Sequence, residues 1–260
     1  MSSSQLVIDG IKGKTTLFQL NCFSWSQSQT IDGMHMLSGI FKSLIKLWTK
    51  SGSKGKISSQ KWNAFNNILP KQKILSQFKR RVRSLNDYKY WKAHEILIFF
   101  LYLTPLMAPY MEKKYYDHLQ LLTKSLRSLF SNCISKHDLQ VAEQDLATFL
   151  ASMDDLYGKE YITLNFHQLF HLVDTVRLHG PMWCFTCFPY ESFNKILVGF
   201  VHGTNHVEHY VAESITIMKE LNKRVRDETS SSVLNLISDN FKVCSFHFNY
   251  YNFYSKDNTC

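Results

Sequence analysis

Glycine and proline are scarce in this chain, 10 and 5 among 260 residues, which excludes a collagen-like or low-complexity sequence. Cysteine is thin as well. The six, at positions 22, 133, 184, 187, 244 and 260, are too scattered for a disulfide framework. Met1-Ser-Ser-Ser-Gln5 lacks the basic and apolar regions of a secretory leader, so a reducing interior compartment is expected. No apolar run reaches the roughly 20 residues that cross a bilayer. The longest, Ile96 to Met111, holds Thr104, Pro105 and Pro109, and is expected to be a buried helix ending near Pro105. There is no internal repeat, and no helix-turn-helix or zinc-finger spacing. Acidic residues are in deficit, 21 Asp and Glu against 30 Lys and Arg. The resulting net charge of +9 favours an acidic partner such as nucleic acid.

What is present is apolar content for a core: 45 % hydrophobic residues and 14 % aromatic, enough for one large domain or two small ones. Residues 6–20 mix β-branched side chains with Gly10 and Gly13 and predict short strands and turns. From Met34 the period becomes helical: Met34, Leu37, Phe41, Leu44 and Trp48 form one apolar stripe, with Asp32 ahead of it as an N-cap. Thr49 to Gln60 reads as a flexible Gly/Ser/Lys linker. Further helices are expected from Tyr88 to about Leu103 and across Glu112 to Ser131, where Tyr115, Leu119, Leu122, Leu126 and Leu129 share a side. Ser135-Lys-His-Asp138 reads as a capping box for a helix stopping near Gly158. Another runs from Thr163 to Leu178, closed by Gly180-Pro181, and two more cover Glu191 to Phe200 and Glu208 to Arg226. The last stretch, rich in Phe, Tyr and Asn, has no period and reads as a poorly ordered tail. Six or more successive helices make the chain mainly α rather than a βαβ array.

Four groups of residues could carry chemistry. Asp32-Gly-Met-His35 places an imidazole one helical turn beyond a capping carboxylate. Phe188-Pro-Tyr-Glu191-Ser-Phe-Asn194 places an acid at a helix start, where the dipole favours it. Lys71, Lys73, Lys79, Arg80, Arg81 and Arg83, with no acid between 71 and 83, are candidate DNA contacts of the sequence-independent, salt-sensitive kind. His167 and His171, with Cys184-Phe-Thr-Cys187, match zinc chemistry in residue type but not in finger spacing. On an apolar helix, packed core positions are the ordinary expectation for both histidines.

Several blocks together resemble the transposase family of CACTA (En/Spm-like) mobile elements: Gly10 to Trp48, Leu85-Asn-Asp-Tyr-Lys-Tyr-Trp-Lys-Ala-His94, and Tyr157 to His171. The clearest match runs from Gly180-Pro-Met-Trp183 through the Glu191 motif to Val201-His-Gly-Thr-Asn205. The resemblance spans roughly residues 8–215 in collinear order. It implies a DDE-type DNA transposase with an RNase H-like core interrupted by a helical insertion. On that reading, residues 1–48 are a partial core with a small β-rich remnant and the Asp-x-x-His motif, and 49–182 are the insertion. Residues 183–228 carry C-terminal core helices and the third acid, and 229–260 form the tail. The resemblance implies Asp32 and Glu191 as catalytic carboxylates holding Mg²⁺ or Mn²⁺, with His35 in support. It further implies DNA as partner, homo-oligomeric assembly, a nuclear location and no membrane association. A complete core needs an Asp on its opening strand. The only acid before Asp32 is Asp9, inside the block matching the region just upstream of the second acid. The chain is therefore expected to be catalytically incomplete, and a non-catalytic helical module binding DNA or protein is the alternative.

Overall fold

The computed structural model describes residues 16–24, 28–73, 81–201 and 203–227. Among these there are eight α-helices, linked by short 3₁₀ and π turns, and no strand. The protein is mainly helical, as its apolar periodicity predicts. Residues 1–15, where most of the strands were expected, lie outside the described residues. The described part of that segment, Thr16–Gln19, is a 3₁₀ turn, not a strand. The tail expected at 229–260 is likewise outside them.

A first unit runs to Thr186. Helix α1 (Gly33–Thr49) begins at Asp32, whose carboxylate accepts from the Met34 and His35 amides at 3.2 and 3.0 Å. Those donors belong to the unpaired first turn of any helix, so the cap satisfies two of them. The stripe predicted from sequence, Met34, Leu37, Phe41, Leu44 and Trp48, is buried throughout. Phe41 stacks on Trp91 with ring centres 4.9 Å apart and meets Phe99 and Phe100 edge-on.

The linker expected at Thr49 to Gln60 is instead docked on the core. Ile57 is buried and its amide donates to the Trp48 carbonyl at 2.8 Å. The Lys54 ammonium donates to the Asp155 carbonyl at 3.3 Å. Gly and Ser supply the turn, and one buried isoleucine decides where it sits. Helix α2 (Ser59–Ile68) follows, capped by Ser58.

The apolar run from Ile96 folds as one helical rod of changing pitch. Helix α3 (Ala93–Ile98) widens into a π turn over Phe99–Leu103, then tightens to 3₁₀ over Thr104–Met107. Pro105 explains the change: it has no N–H for the Leu101 carbonyl and its ring crowds that carbonyl. The Leu101 oxygen is taken instead by Arg127 Nε at 2.6 Å, while Arg127 Nη2 donates to Thr104 Oγ1 at 3.1 Å.

Arg127 comes from α4 (Lys113–Leu129), whose five predicted apolar positions are all buried. Helix α5 (Lys136–Tyr157) opens with the expected capping box: Ser135 Oγ accepts from the Asp138 amide and Asp138 accepts from the Ser135 amide. Helix α6 (Leu164–His179) completes the unit. Both α5 and α6 stop on glycines with positive φ, Gly158 at 115° and Gly180 at 85°, a conformation that side chains with a Cβ rarely adopt. Helix α5 packs along both α4 and α6, and α1 packs on α3 and α6.

A second unit starts at Cys187. It contains α7 (Phe188–Gly199), with Pro189 in its first turn, and α8 (Val207–Asp227). No residue of α7 is buried, nor is any described side chain of α8. None of the described helices is long and apolar enough to cross a membrane.

Candidate functional site

Asp32 and His35 meet as the helical spacing requires. The imidazole Nδ1 closes on the carboxylate oxygen Oδ2 that also accepts from the His35 amide. Three hydrogen bonds, two from amides and one with the ring, therefore orient a single partly exposed carboxylate at the positive end of α1. Within the first unit this pair offers one carboxylate and one imidazole. A two-metal centre uses several hard oxygen donors, so these residues alone do not fit that group, and no catalytic step is assigned to them. Glu191 lies in the second unit, exposed in the first turn of α7, with its amide donating to the Cys187 carbonyl at 2.9 Å.

The basic tract separates into distinct environments. Lys71, Lys73 and Arg81 are exposed. Lys79 and Arg80 lie outside the described residues. Arg83 is turned inward onto Glu95, a carboxylate only 2 % exposed. Nε donates to Oε1 at 3.0 Å and Nη2 to Oε2 at 2.7 Å. The Arg83 and Lys92 amides also donate to Glu95, and Arg83 Nη2 reaches the Tyr90 carbonyl. Burial pushes the Glu95 carboxyl up. The guanidinium and the two amides outweigh it and hold the group below the usual carboxylate range. Arg83 thus serves an internal ion pair that joins the tract to α3. This partnership is invisible in the sequence, where a lone Glu twelve residues away carries no pairing signal.

His167 and His171 are not core histidines. Both are exposed on α6, and the buried arc of that helix is filled by Phe166, Leu169, Leu172, Val173 and Val176. Their ring centres are 5.2 Å apart, and Phe170 meets the His171 ring edge-on at 5.3 Å. Leu164, Phe170 and Leu178 on the same outer arc are 72, 66 and 57 % exposed. Position arithmetic already separates 167, 171, 174 and 178 from the buried set. The general apolarity of the segment concealed it, because apolar residues occupy both arcs. Cys184 is half-buried in the turn Met182–Phe185, and Cys187, in the second unit, is half-buried.

A buried titratable group that sequence reading did not single out is His118 of α4. Its Nε2 donates to the Phe149 carbonyl at 2.9 Å, and its ring stacks on Phe149 with centres 4.1 Å apart. Nδ1 is buried with no hydrogen-bond partner. Burial pushes the imidazole down from 6.5 to about 4, so the neutral form occupies the core. Tyr157, which accepts from the Trp48 indole at 3.4 Å, is pushed up by burial.

Residues 129–227, less than half of the chain, match the family model described as a domain of unknown function, DUF4218. That span includes His167, His171, Cys184, Cys187 and Glu191, and leaves Asp32, His35 and the basic tract outside. No curated protein and no solved structure matches the chain.

Proposed function

We propose that this chain derives from a DDE-type DNA transposase of the CACTA kind, in which a helical insertion, about residues 49–182, interrupts an RNase H-like core. The observation that carries the reading is collinearity: the Asp-x-x-His motif, the helical body and the Glu191 motif follow in the order the resemblance requires. Asp32 caps α1 with His35 bound to its carboxylate, and Glu191 occupies the first turn of α7. On this reading Asp32 and Glu191 would hold Mg²⁺ or Mn²⁺ in the complete enzyme, and the nucleus would be the site of action. The residues in hand supply two of the three acids of that chemistry, so the chain alone is expected to be inactive.

Strand-transfer assays with Mg²⁺ test this. The chain alone yields no joined product. Joined to the N-terminal half of a CACTA transposase core that carries the first Asp, it yields product that disappears in Asp32→Asn and Glu191→Gln. Product that survives both substitutions would sink the assignment. So would carboxylates of the two residues lying more than about 10 Å apart in an experimental structure, since the metals of such a centre are roughly 4 Å apart. DNA binding by the exposed cations is expected to weaken with salt. The logarithmic slope falls by about 0.9 for each phosphate that Lys71→Ala, Lys73→Ala or Arg81→Ala leaves unneutralised. A second reading, a non-catalytic helical module that binds protein, is favoured by the three large apolar side chains exposed on α6. In that case the chain forms no salt-sensitive complex with DNA.

A further inference from the structure

We propose that His167 and His171 form a two-imidazole site for a borderline divalent transition metal, Zn²⁺ foremost, on the outer face of α6. The inference stands apart from the transposase reading and uses neither Asp32 nor Glu191. Residues four apart on a helix project from one face, and these two are both exposed with ring centres 5.2 Å apart and planes inclined by 75°. A Zn–N bond of about 2.1 Å places a metal about 3.3 Å from each ring centre, and a tetrahedral angle then separates the centres by about 5.4 Å. A right angle, as at tetragonal Cu²⁺ or Ni²⁺, separates them by about 4.7 Å. The spacing in α6 falls between these and lies nearer the tetrahedral value.

The rings are also available. Among the described residues no imidazole nitrogen of either histidine is engaged in a hydrogen bond, and their ring contacts are with each other and with Phe170. The edge of Phe170 braces the His171 ring, which lowers the entropy lost when it is fixed by a metal. Asp174, one turn further along the face, pairs with Arg177, its Oδ1 accepting from Nη1 at 2.6 Å, and the two-imidazole site does not depend on it. Two coordination positions are thus left to water or to a donor atom from another molecule. Gln168 follows the first histidine, where helical zinc proteases carry the glutamate that acts as general base. The site is therefore one for holding a metal and whatever binds to it, not for hydrolysis.

Isothermal titration of the full chain with Zn²⁺, Ni²⁺ and Cu²⁺ tests the proposal, with circular dichroism to confirm that each variant is folded. Both histidines are exposed, so His167→Ala and His171→Ala retain their helix content. Each is expected to lower the affinity of one site by about a hundredfold, because the second imidazole binds at high effective concentration once the first is engaged. Wild-type thermal stability rises on adding Zn²⁺, and neither variant shows that rise. Equal binding by wild type and both variants would overturn the proposal. An equal loss in Cys184→Ser or Cys187→Ser would also overturn it, replacing the two-imidazole site by one that needs thiolates.

Discussion

His118 stands where α4 meets α5, 3 % exposed, with its ring against Phe149 and its second nitrogen unpaired. The Phe149 carbonyl fixes the proton on Nε2, so acid must protonate Nδ1, which faces no acceptor. The native imidazole titrates at about 4 instead of 6.5. Between those values the unfolded chain binds the proton and the folded chain does not. Stability is therefore complete above the ordinary value and declines as the pH falls, by about 1.4 kcal/mol per pH unit. Integrated over the shift, the loss reaches about 3 kcal/mol and stops growing once the native histidine is itself protonated. That is a large share of the roughly 5–15 kcal/mol that stabilises a typical domain. Urea denaturation of wild type and His118→Gln, followed by far-ultraviolet circular dichroism from neutral pH to about pH 4, isolates the effect. Glutamine can still donate to the Phe149 carbonyl but does not titrate, so the difference between the two proteins should carry the slope. A difference that stays flat over this range would refute the reasoning. So would a His118 ring resonance titrating near the ordinary histidine value.

Further tests follow from the polar contacts that tie the unit together. Arg83→Ala strands the buried Glu95 carboxylate and is expected to cost about 3 kcal/mol, whereas Arg83→Ala with Glu95→Gln, which removes the buried charge and keeps an acceptor for the Lys92 amide, costs less. A loss under about 1 kcal/mol in denaturant titration of the single variant would show the pair to be a surface contact. Arg127→Ala leaves the Leu101 carbonyl without its donor and is expected to cost about 1–3 kcal/mol. Arg127→Lys recovers only part of this, since one ammonium does not reproduce the planar fork that serves Leu101 and Thr104. Asp32→Ala removes the α1 cap at about 1 kcal/mol, while Asp32→Asn preserves stability. The asparagine variant therefore separates the structural duty of Asp32 from any carboxylate chemistry when strand transfer is assayed.

The parts of this protein legible in its sequence are those set by neighbours along the chain. The Asp32 cap, the Ser135 capping box, the glycine stops at 158 and 180, and the buried stripes of α1 and α4 all depend on residues within a turn or two. The pairing of Asp32 with His35 is likewise a three-residue matter. Legibility failed where a segment's fate depended on a distant partner. The Gly/Ser/Lys stretch reads as a linker because its one anchoring residue, Ile57, is a small part of its composition. The basic tract reads as uniform because charge counting does not reveal that Arg83 is claimed by Glu95.

Sequence alone, then, determined the helical class, most helix limits and the residue types available for chemistry, since backbone periodicity and capping are local energies. Tertiary structure decided which of those residues face solvent. Helix α6 carries more apolar side chains than its core-facing arc buries, leaving Leu164, Phe170 and Leu178 exposed, and packing selects the arc. Packing buried His118 among aromatic rings and left His167 and His171 side by side on the surface of α6.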